Sequence, residues 1–235
     1  MSVLFENLDL FAKGFWLTLQ LCILSAVGAL LIGTIVAVLR ISPLPPLRWL
    51  GTAYVTVFRN SPLTIVFFMI AFGLPVLGSN AQFLNVPGLN LVFGRLAYDL
   101  PYFRFAVIAL SLYTGAFVCE AIRSGINAVP PGQAEAARAI GLTFSQNLRF
   151  VVLPQARQAA TVPLGSVIIA MIKNSALAGF FGLAGDLSQT GYDLVVQQGE
   201  AVLPVFAGIS VGFLILTMPL GLLLDRIERR TVRAR

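Results

Sequence analysis

Five stretches of this chain are long and apolar enough, or nearly so, to require lipid around them: about 15–39, 61–78, 104–122, 157–176 and 201–224. A helix rises about 1.5 Å per residue, so roughly 20 apolar residues cross the hydrocarbon core of a bilayer. Only 11% of the residues are charged against 57% hydrophobic, where a soluble domain carries about a quarter charged. The expectation is an all-α integral membrane protein with about five transmembrane helices in one domain, 1–235. The fourth stretch is the weakest, because it holds Pro163, Lys173 and Asn174. With Gly165, these residues predict an irregular span whose backbone lines a cavity or packs on protein. The first run, Phe15 to Leu39, follows Glu6 and Asp9 and is too long for a signal-peptide core, so it reads as a retained span.

Between the first two stretches lies PPLRWLGTAYVTVFR. Its Leu47, Leu50, Tyr54, Val57 and Phe58 recur at helical spacing among Arg48, Thr52 and Arg59, which predicts an amphipathic helix in the membrane interface. The basic residues are not gathered into a phosphate-binding face, which argues against nucleic acid as a partner. They follow the first span (Arg40, Arg48, Arg59), separate the third from the fourth (Arg123, Arg138, Arg149, Arg157), and end the chain (Arg226 to Arg235). With five spans all these groups share one side, while most acids lie on the other. The positive side is cytoplasmic by rule, so the N-terminus is expected outside and the C-terminus inside.

Cys22 and Cys119 sit in apolar runs without a CxxC pattern, and the chain has no histidine. They read as buried thiols rather than as a disulfide or metal site. A Walker A loop is absent as well, so ATP has no binding route of that kind here.

The segment 123–157 predicts two helices with a hard turn between them. Pro130 and Pro131 suit a first helical turn, four alanines support the helix from Gln133 to Ile140, and Gly141 stands at the C-terminal cap. Thr143 and Gln146 fit a capping box opening a second helix, which Leu153-Pro154 should end or kink. The run EAARAIGLTFSQNLRFVVLP sets Glu135, Ala136, Ala137, Gly141, Leu153 and Pro154 in a fixed order. It resembles the EAA signature of membrane subunits of bacterial binding-protein-dependent ABC importers, with Val151 where isoleucine is usual.

The resemblance extends over nearly the whole chain. FRNSPL at 58–63, FVCEAIRSGINAV at 117–129 and MIKNSALAG at 171–179 are similar to elements of polar-amino-acid permeases, with Asn60, Ser61, Ser124 and Asn174 as departures. The set is closest to glutamate and glutamine permeases of actinobacteria. The resemblance implies a type I importer permease fold in a bacterial plasma membrane. It implies that the 123–157 loop is a cytoplasmic coupling element docking on a dimer of ATP-binding subunits, which themselves bind ATP and magnesium, so that this chain needs no cofactor and does no chemistry. It further implies a second permease subunit, identical or sister, and an extracytoplasmic binding protein that delivers a polar amino acid. The loop 79–103 and the segment 182–200 are the expected docking surfaces.

Pathway candidates are Lys173, Asn174, Ser175, Glu120 and Asn60. A helix from Arg157 carries Lys173 roughly 24 Å along the span, where a charge costs up to about 3 kcal/mol unless it snorkels or is paired. Lys173 is therefore either a pathway residue attracting carboxylates or a structural cation reaching outer headgroups. Glu120, one turn from Arg123, is either an i,i+3 partner of that arginine or a substrate contact. An ion-gradient-driven secondary carrier is the alternative reading, but it predicts paired intramembrane carboxylates and repeated halves, and neither is seen here.

Overall fold

The computed structural model describes residues 5–79 and 101–233. Every regular element among them is helical. In chain order these are α1 (Leu8–Ile41), α2 (Pro45–Asn60), α3 (Leu63–Val76), α4 (Pro101–Asn127), α5 (Pro131–Ala139), α6 (Phe144–Asn147), α7 (Leu153–Asn174), α8 (Leu177–Phe180), α9 (Leu187–Val196) and α10 (Val202–Arg233).

Among the described residues, four helical stretches are long and apolar enough to cross a bilayer: Leu8–Ile41, Pro101–Asn127, Phe144–Phe180 and Val202–Arg229. The bent pair α2–α3 makes a fifth if it is taken as one span. The stretch expected as a separate second span is shorter than its apolar run. From Leu63 to Val76 it rises only about 21 Å, and it meets α2 at 105°. Ser61-Pro62 forms the corner. Both residues are extended, and Pro62 cannot extend the α2 ladder. The amphipathic helix is present at 45–60, with Gly51 and Val55 buried against α1 and α4 and Trp49, Leu50 and Val57 exposed.

α4 is the central staff, with 67% of its apolar window buried, whereas α10 has 11%. Glycines let α1 approach α4 closely: a Cβ added at Gly33 would lie 2.5 Å from Val118 Cβ and 2.7 Å from the Gly115 carbonyl oxygen. The main core joins Leu21 and Cys22 of α1, Phe67 of α3, Phe103 and Leu110 of α4, and Met171 of α7. Phe67 stacks on Phe181 at 5.4 Å between ring centres. Both cysteines are buried free thiols, as expected.

Two prolines expected to disturb helices sit within them. The helix does not end at Leu153-Pro154. It runs from Asn147 through a π-helical turn, Leu148–Val152, directly into α7. A second π turn, Met69–Gly73, precedes Leu74-Pro75 inside α3. Each proline thus follows a widened turn by two residues. The wider turn makes room for a ring that would otherwise crowd the carbonyl four residues back. Nor does Pro163 break span four, since α7 continues past it to Asn174. Thr161 and Ser166 flank it, their hydroxyls donating to the carbonyls of Arg157 and Val162.

Candidate functional site

The segment between α4 and α7 is a compact knob whose shape follows from local rules. α5 ends in two reverse hydrogen bonds. The Gly141 N–H donates to the Arg138 carbonyl (3.0 Å) and the Leu142 N–H to the Ala137 carbonyl (3.1 Å). That closure needs a left-handed residue at 141, and Gly141 has φ of 88°. The capping box then opens α6: the Thr143 N–H donates to Gln146 Oε1 (2.9 Å), and the Gln146 N–H returns to Thr143 Oγ1 (3.4 Å). Asn147 ties the two arms, its Nδ2 donating to the Ala134 carbonyl at 2.9 Å. Sequence reasoning passed over Asn147, whose signal was only a polar residue at a position that proves to be buried.

Of the signature residues, Glu135, Ala136, Gly141, Leu153 and Pro154 are exposed, and Ala137 is buried. Glu135 takes part in none of the salt bridges among the described residues. Beside them Ile140 and Phe144 are 80% and 75% exposed, and the sequence reading had not singled them out. The knob therefore offers an apolar tip with a free carboxylate next to it. Its two roots are clamped where α4 crosses α7. A Cβ at Gly125 would lie 2.5 Å from the Ala156 carbonyl oxygen and 2.6 Å from Ala160 Cβ.

The pathway candidates separate. Lys173 is exposed and Asn174 half-buried at the end of α7. Ser175 is fully buried: its hydroxyl donates to the Ile172 carbonyl at 2.7 Å and accepts from the Cys22 thiol at 3.4 Å. Its place is in the core, as the cap of α7. Asn60 is exposed at the end of α2. Glu120 does face Arg123 at 3.8 Å, but the pairing expected on one helix is part of a larger centre. Arg40 from the end of α1 bonds the same carboxylate oxygen, and Arg59 from the end of α2 stands 4.0 Å from it.

Of the two expected docking surfaces, residues 80–100 of the loop 79–103 lie outside the described residues. The segment 182–200 folds as α9, held to α1 where the Leu187 N–H donates to the Thr18 hydroxyl at 3.0 Å. Asp186 caps α9, its Oδ1 accepting from the Gln189 N–H at 2.7 Å. Burial pushes this carboxyl up to about 7 from an ordinary 3.8, against the lowering effect of N–H groups at Gln189, Gly179 and Ser188. Between those two values the folded chain holds a proton that the unfolded chain releases, so this contribution to stability falls as pH rises through the window and is level above it. Asp186→Asn is expected to keep the cap and remove the slope. Melting curves at about pH 5 and about pH 8 should show a smaller downward shift for the variant than for the parent; equal shifts would show that Asp186 does not titrate there.

Comparison with known proteins agrees with this architecture. Residues 29–234 match the family described as the binding-protein-dependent transport system inner membrane component. The glutamate transport system permease protein GluC of Corynebacterium efficiens is 42% identical over 92% of this chain and 91% of its own. The probable glutamine ABC transporter permease protein GlnM of Bacillus subtilis is 37% identical over 97% and 96%. Among solved structures, an amino acid ABC transporter crystallised with histidines superposes with a TM-score of 0.84 at 29% identity over 97% of both chains. The MetNI methionine ABC transporter in an inward-facing form superposes at 0.74, with 26% identity over 96% and 97%. This chain belongs to the inner membrane components of binding-protein-dependent transport systems: it is a plasma-membrane permease subunit with the ABC importer fold.

Proposed function

We propose that the chain is the permease through which a polar amino acid, glutamate or glutamine, enters the cell, delivered from outside by a binding protein and driven by a separate ATPase. The observation that carries the coupling half of this reading is the knob, 128–153, with exposed Ile140 and Phe144 beside the unpaired carboxylate of Glu135. An apolar tip rimmed by charge is the anatomy of a protein-docking surface. Glu135, Ala136, Ala137, Gly141, Leu153 and Pro154 shape the element that sits on the ATPase dimer, and ATP with magnesium belongs to that partner. On this reading the knob faces the cytoplasm, with the C-terminus inside and the N-terminus outside, and the basic residues around it support that orientation. On the opposite side, α9 and a cavity of about 410 Å³ lined by Gly179, Phe180, Gly182, Ala184, Gln189 and Tyr192 provide the surface for the binding protein.

The relatives named for glutamate and glutamine transport support the substrate class. Lys173, exposed at the end of α7 with Asn174 beside it, is the cation available to a substrate carboxylate along the path. The weakly buried α10 and the apolar outer faces call for a second permease subunit, identical or sister, as well as lipid. In vesicles reconstituted with the ATPase and the binding protein, ATP should drive uptake of glutamate or glutamine and not of arginine. Uptake that survives ATP depletion and collapses with the ion gradient would refute this reading. Lys173→Gln is expected to reduce uptake of glutamate more than that of glutamine; equal loss of both would assign Lys173 a structural role.

A further inference from the structure

The centre around Glu120 holds more positive charge than it can neutralise. Arg40, Arg59 and Arg123 converge on the Oε1 atom of Glu120, from the ends of α1 and α2 and from α4 itself. Three guanidinium groups against one carboxylate leave two charges uncompensated. Among the described residues no acid other than Glu120 pairs with these arginines: α2, α3, α4 and α7 contain none besides it, Asp9 lies at the far end of α1, and Glu135, Asp225 and Glu228 form no salt bridge with them. Arg40 is the anchored member, with its side chain 14% exposed, whereas Arg59 and Arg123 are 49% and 32% exposed.

We propose that Arg59 and Arg123, held in place by the Arg40–Glu120 pair, seat the phosphate headgroup of an anionic phospholipid. A guanidinium fork matches phosphate geometry and gives charge-assisted bonds. The surroundings select a lipid rather than an amino acid in transit. α2, which ends in Arg59, exposes Trp49 (82%), Leu50 and Val57, the aromatic and aliphatic face of a helix at the boundary of headgroups and acyl chains. The centre lies where α4 meets α1 and α2, next to the buried group Val36, Ala37, Val55 and Cys119. The exposed Lys173 is on α7, which meets α4 at its Gly125 face.

The test is native mass spectrometry of the purified full-length chain titrated with phosphatidylglycerol or phosphatidylcholine. Each surface arginine near anionic lipid is worth about a factor of five in affinity, so Arg59→Gln with Arg123→Gln should weaken phosphatidylglycerol binding about 30-fold and leave phosphatidylcholine unchanged. Glu120→Gln removes the carboxylate on which the three arginines converge and should weaken phosphatidylglycerol binding, by less than the double variant does. Where the double glutamine variant does not fold, Arg59→Lys with Arg123→Lys retains charge without the fork and should give an intermediate loss. Unchanged phosphatidylglycerol binding in the double variants would overturn the proposal. So would displacement of the lipid by inorganic phosphate or glutamate at equal concentration, which would identify the ligand as a free anion.

Discussion

Gly125→Ala is expected to cost the chain most of its folded yield, even though it adds a single methyl group. The added Cβ would lie 2.5 Å from the Ala156 carbonyl oxygen, 2.6 Å from Ala160 Cβ and 2.9 Å from the Ala160 backbone nitrogen. Two of those three neighbours are backbone, so no rotamer change relieves the contact and α4 must move away from α7. Overpacking of this kind costs about 1–3 kcal/mol, and more where the neighbours are rigid. Detergent melting of the variant should start well below the parent, and membrane yield should fall with it. Gly221→Ala on α10, where an added Cβ meets nothing within 4 Å, is the control and should be neutral. A Gly125→Ala chain that melts with the parent would show that the crossing is looser than described. Because the crossing joins the two roots of the knob, any residual folded protein should also transport poorly.

Gly141→Val is expected to act differently, sparing insertion and abolishing ATP-driven uptake. Nothing lies within 4 Å of a Cβ at 141, so the obstacle is conformational: its φ of 88° is one that a β-branched residue strongly resists. The strain of about 1–3 kcal/mol is met most easily by opening the closure between α5 and α6. That opening releases the hydrogen bonds from Gly141 and Leu142 to Arg138 and Ala137 and moves Ile140 and Phe144 apart. The spans do not depend on this turn, so melting should shift little while ATPase activity and uptake become uncoupled. Gly141→Asn, which tolerates the left-handed region better, should recover part of the uptake. Full uptake by the valine variant would remove the knob from the coupling route.

What could be read from the sequence was local. The closure at Gly141, the capping box at Thr143 and Gln146, and the helix begun at Pro131 are each specified within a few residues, and the structure has all of them. Apolar runs likewise located the long helices. What escaped was long-range or geometric. Arg40 and Glu120 are separated by 80 positions, and no spacing rule connects them, so the sequence offered Glu120 only the arginine one turn away or a substrate contact. The 105° corner at Ser61-Pro62 was hidden because hydropathy reports length without direction. Polarity at Ser175 inside an apolar run signals either a path or a cap, and its hydrogen bonds with Cys22 and Ile172 could not be foreseen from any spacing.

The π turn at Leu148–Val152 has a consequence for how motion at the knob reaches span four. Widening a helix by one residue changes its phase by about 100°, so the turn sets the azimuth at which Ile140 and Phe144 stand relative to Lys173. The turn works as a crank pin between the knob and the shaft of α7. Because the Pro154 ring occupies the room that the wide turn provides, the turn resists tightening to an ordinary α turn, and the knob keeps one azimuth on the shaft. A push on the knob is therefore passed to α7 by a fixed lever arm and not lost as slip about the helix axis.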